Sequence, residues 1–153
     1  MDGLNIRRRR RSWGPLLMEL LMAMLIFALV SSAATVLFAR ASAMSTEASR
    51  LSWASDQAGD VSAIFRTSDS VQAFVDTLTQ AFPKTAVKTD SAGRSVLTQR
   101  YTAALKPTAD SKKTAVTVRI TAWTAEGTMH TRIVIWDRHR TLYQVSCRRQ
   151  IDS

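Results

Sequence analysis

Few residues in this 153-residue chain have the type and spacing that chemistry demands. The two histidines, His130 and His139, have no cysteine or carboxylate at metal-ligand spacing. They are expected at the surface, with no metal and no cofactor. No glycine-rich phosphate loop and no Gly-x-Ser-x-Gly elbow occurs in the sequence. Glu126 and Asp137 fall at the ends of expected strands, where solvated turn positions account for them. Trp123 and Trp136 suit either strand packing or an exposed aromatic surface. Cys147 is the only cysteine, so no intrachain disulfide forms; it is expected as a small buried residue. None of these groups makes a catalytic constellation, and the chain reads as a non-enzyme. One acid stands apart: Glu19 lies inside an apolar run, where a carboxylate at mid-bilayer costs about 2.5–3.5 kcal/mol.

That run extends from Leu16 to Ala39. As a helix it is about 36 Å long, enough to cross a hydrocarbon core of roughly 30 Å with some tilt. It follows five consecutive arginines, Arg7, Arg8, Arg9, Arg10 and Arg11. The formal charge is +9, of which the first fourteen residues, with five Arg and one Asp, carry +4. Cationic flanks stay cytoplasmic, so the arginine block implies an inside N-terminus and an outside body. Arginine clusters also bind phosphates, but beside a membrane span orientation is the better account, and no nucleic-acid partner is expected. A secretory signal peptide would need a shorter apolar stretch, although the Ala41-Ser42-Ala43 region resembles a cleavage site. A plain signal anchor explains the arginines and the length but leaves Glu19 to reach the interface from the first turn.

The string as a whole is more specific. Gly14, then Leu16, Leu17, Glu19, Leu20 and Leu21, continuing through Leu25, Ile26 and Phe27, resembles the N-terminus of type IV pilins and type II secretion pseudopilins. The resemblance covers about the first third of the chain. It implies cleavage by a prepilin peptidase after Gly14, methylation of the new N-terminus, and pairing of Glu19 with a neighbouring subunit's terminal amine. Opposite charges that are each costly in a low-dielectric bundle offset one another there. The apolar helix would then serve as both membrane anchor and filament core. Pro15 stands where the family usually has Phe or Met. It suits the first turn of a helix, where its missing N–H needs no partner. The implied partners are other pilin-like subunits, the peptidase and an inner-membrane assembly platform. The implied location is a bacterial inner membrane, single-pass, with the body periplasmic. Three alternatives remain: an uncleaved single-pass protein displaying a small binding domain, a tight-adherence-type pilus assembly protein, and an exported protein released near Ala41-Ser42-Ala43.

The elements that must position this segment follow from periodicity. Residues 1–14 form the basic leader, 15–40 the spanning helix, 41–66 its outer continuation and 67–153 a small domain. Leu37, Ala41, Met44, Ala48, Leu51, Ala54, Ala58, Val61 and Phe65 recur at helical steps and mark an apolar stripe. Gly59 weakens that continuity by about 1 kcal/mol relative to Ala, so a membrane helix followed by a separate soluble helix near Gly59 stays open as the alternative. Good N-cap residues at 67–70 precede a short helix over 70–82, which Pro83 ends. Residues 84–95 read as a polar loop. Strands are expected at about 96–105, 114–124, 128–137 and 141–148. A two-residue reversal at Glu126-Gly127 would set Val118 opposite Ile135, Ile120 opposite Ile133, Trp123 opposite His130 and Thr117 opposite Trp136. The expected fold class is α+β: a long N-terminal membrane-spanning helix packed, as in pilins, on a small C-terminal antiparallel sheet.

Overall fold

The computed structural model describes residues 13–138 and 140–151. A long helix, α1 (Trp13–Thr67), is followed by a short one, α2 (Val71–Ala81). Five strands complete the chain: β1 (Ala86–Thr89), β2 (Ser95–Tyr101), β3 (Val116–Ala125), β4 (Thr128–Asp137) and β5 (Thr141–Gln150). They form one antiparallel sheet in sequence order, β1-β2-β3-β4-β5. The chain divides into two compact units at Thr46/Glu47, so α1 contributes to both.

Among the described residues of the first unit almost nothing is covered. From Trp13 to Ser49 every residue is exposed except Ala34, which is half-buried. The second unit has the reverse character. There α1 buries Ala54, Ala58, Val61 and Phe65, spaced by four, three and four residues, against the sheet. The expected stripe is thus buried only from Ala54 onward; Leu51 remains 41% exposed and Met44 71% exposed. Phe65 meets Phe74 of α2 edge-to-face at 5.5 Å. Ser70 caps α2, its hydroxyl accepting from Ala73 N–H at 3.1 Å.

Alternation of branched residues explains the sheet. Val116, Val118, Ile120 and Ala122 of β3 and Met129, Ile133 and Ile135 of β4 all face the helices and are buried. The β3–β4 register sets Val118 against Ile135, Ile120 against Ile133, Trp123 against His130 and Thr117 against Trp136. Glu126 and Gly127 both have positive φ, 50° and 70°, the backbone of a two-residue primed turn that matches strand twist.

Two expectations need correction. Residues 84–95 are not all loop: Ala86–Thr89 pairs with β2 as an edge strand. The strand expected to reach Leu105 stops at Tyr101, because the Leu105 N–H turns back to Thr102 O and Leu105 takes φ 57°.

Candidate functional site

Gly14, Pro15 and Glu19 all lie in the first two turns of α1. Pro15 is the helix's third described residue, where its absent N–H costs no intrahelical bond. Among the described residues Glu19 has neither a hydrogen-bond partner nor an ion pair. Leu16, Leu17, Leu20, Leu21, Leu25, Ile26 and Phe27 precede and follow it along the helix, all at least half exposed, with Phe27 reaching 74%. Arg7 to Arg11 lie outside the described residues. This is the one described helix long and apolar enough to cross a membrane. A helix that is apolar all round and uncovered needs lipid or other helices as its surroundings.

What the second unit supplies is a fixed seat for the outer part of α1. Arg50 Nη1 donates to Asp137 Oδ2 at 2.7 Å, and Arg140 Nη2 lies 2.7 Å from Glu47 Oε1. Both pairs join α1 to the β4–β5 turn. Asp137 is therefore a half-buried ion-pair partner rather than a solvated turn carboxylate. At the other end, Arg149 of β5 donates from Nη1 to the carbonyls of Arg66 and Ser68, at 2.8 and 2.7 Å. Those are carbonyls at and just beyond the C-terminus of α1, where the helix dipole favours a cation. Asp69 holds the same guanidinium at 3.3 Å.

Between these ends, Trp53 packs edge-on to Tyr101 at 4.7 Å. Tyr101 Oη lies 3.0 Å from Gln57 Oε1 and 3.1 Å from Gln99 Oε1, while the buried Gln99 Nε2 has no partner among the described residues. One hydroxyl proton cannot serve both oxygens. Turning the Gln99 amide lets Nε2 donate to Oη and Oη donate to Gln57, which removes the competition at Oη and leaves Gln99 Oε1 as the atom without a partner among the described residues. Burial pushes the Tyr101 phenol above its usual value of 10.0.

Other singled-out residues occupy structural positions. His130 is half-buried and stacked on Trp123, with ring centres 5.3 Å apart and planes within 9°. His139 is outside the described residues. Cys147 is half-buried, with Sγ 3.6 Å from Ser62 Oγ. Among the described residues no group of three His, Cys, Asp or Glu side chains could hold a metal. Comparison with protein-family models, with curated proteins and with solved structures finds no match for this chain.

Proposed function

We propose that the chain is a membrane-anchored pilin-like subunit, a minor pilin or pseudopilin of a type II secretion or type IV pilus machine. The observation that carries this reading is Glu19, the one acid of the apolar run and without a partner among the described residues, five residues after Gly14 at the head of an exposed apolar helix. The same helix continues, amphipathic, into a seat on an antiparallel sheet. The arrangement suits a subunit whose body folds on its own while its apolar half is left for other helices. Glu19 would receive the terminal amine of an adjacent subunit, the arginine block would hold the leader in the cytoplasm, and the body would be periplasmic. A small body and the atypical Pro15 favour a minor subunit over a bulk fibre subunit.

Co-expression with a prepilin peptidase and its assembly platform tests the reading. The mature chain is expected to lose residues 1–14, and Glu19→Ala to insert in the membrane normally yet fail to co-assemble with other pilin-like subunits. Co-assembly that survives Glu19→Ala would remove the role given to the carboxylate. The second reading, an uncleaved single-pass anchor displaying the body, rests on Pro15. Cleavage after Gly14 leaves a secondary amine, so a chain that still begins at Met1 beside active peptidase would favour the anchor.

A further inference from the structure

The sheet has a second face, turned away from the helices, and its composition is one-sided. Arg100 of β2, Arg119 of β3, Arg132 of β4 and Arg148 of β5 all lie on it. The register sets Arg100 opposite Thr117, two residues from Arg119; Thr121 opposite Arg132, two residues after Arg119; and His130 opposite Arg148, two residues before Arg132. The four arginines therefore descend one diagonal, one per strand, at about 7–8 Å per step and over roughly 21–24 Å in all. Lys88 of β1 flanks them, and Lys88, Arg100, Arg119 and Arg132 line one shallow concavity of about 660 Å³. No strand residue on this face is acidic. Asp90, in the β1–β2 turn, is already held by Arg94 at 2.7 Å; Glu126 shares a neighbouring hollow with Arg148. Among the described residues none of these five cations has an ion-pair partner.

A merely solvated sheet face mixes both signs, because like charges on neighbouring strands oppose pairing. Here the repulsion is retained, and aromatic rings stand on both sides of the diagonal. Trp136 lies under the Arg119 guanidinium at 4.9 Å, and the Trp123–His130 stack lies beside Arg132 and Arg148. We propose that this face binds single-stranded nucleic acid, its phosphates along the arginine diagonal and its bases against the Trp136 and Trp123–His130 rings. One file of cations matches one backbone, guanidinium forks suit phosphate oxygens, and exposed bases supply the stacking partners. A duplex has its base faces sheathed and presents two phosphate rows. This face lies wholly within residues 86–148 and does not involve the leader arginines, beside which no nucleic-acid partner is expected.

The test is fluorescence anisotropy of the full chain in detergent micelles with a labelled dT20 strand, a 20-base-pair duplex and a sulfated oligosaccharide of matched charge. The dT20 strand is expected to bind most tightly, with a log–log salt slope steeper than about −3, since the four arginines alone give about −2.8. Arg119→Gln/Arg132→Gln should reduce the steepness of that slope by about 1.4. Trp136→Ala should weaken binding about tenfold at unchanged slope. Unaltered circular dichroism checks that each variant is folded. Tighter binding of the duplex or the oligosaccharide would overturn the proposal. So would a slope that the double arginine variant leaves intact, which would assign binding to the leader arginines.

Discussion

The two parts of α1 obey opposite rules. From Leu16 to Ala39 the helix is mostly apolar and, Ala34 aside, exposed; from Ala54 it buries one stripe and leaves the rest to water. The body needs no help: its buried side chains come from three sources, α1, α2 and the sheet, and fill one core. Among the described residues nothing covers the first part. A single helix thus joins a region packed internally to one left open, and Glu19 lies in the second.

The contrast can be broken by cutting at equal side chains in the two parts. Phe65→Ala, at a site with 0% exposure, is expected to destabilise the body by about 3–5 kcal/mol in a denaturant titration followed by tryptophan fluorescence. Phe27→Ala, at 74% exposure, should leave that transition unmoved. Equal losses at the two sites would mean the parts do not differ as described. A smaller effect sharpens the boundary inside the body. Beyond its own helix backbone and chain neighbours, Gly59 has no atom within 4 Å of where a Cβ would sit, so Gly59→Ala should stabilise the body by about 0.5–1 kcal/mol in the same assay. A loss instead would mean that the groove between α1 and β5 has no room for a methyl group.

The smallest effect is at the sheet's exposed edge. The Arg94 backbone N–H, assisted by the Arg94 side chain and the Ala92 N–H, holds the Asp90 carboxyl below its ordinary 3.8. A depressed carboxylate contributes stability above its unfolded pKa and loses it as pH falls through the folded value. The β1–β2 turn should therefore loosen only below pH 3.8, seen as an NMR midpoint for Asp90 under that value. A midpoint at or above it would deny the turn this support.

The strongly patterned elements were legible in the sequence. β3 and β4 alternate branched residues around Glu126-Gly127, so turn chemistry fixed which residues face each other. β1 was not legible because Ala86–Thr89 is short, wholly exposed and has no buried alternation to announce it. Leu105 misled in the other direction, since its apolar side chain continues the strand pattern while its backbone turns. The anchoring contacts of Arg50 and Arg149 were hidden for another reason: they join residues 87 and 83 positions apart. The arginine diagonal has the same character, with its four members on four different strands and no periodicity along the chain. Half of it, Arg119 and Arg132, follows from the β3–β4 register once opposite faces are compared.

Arg149 carries a consequence for biogenesis. It closes the end of α1 from the last described strand, and joining points that far apart costs about 4 kcal/mol of loop-closure entropy. Synthesised N-terminal part first, the chain can make this contact only once residue 149 is available. The carbonyls at the end of α1 must wait uncapped through most of synthesis, so the helix end and the final strand become ordered together.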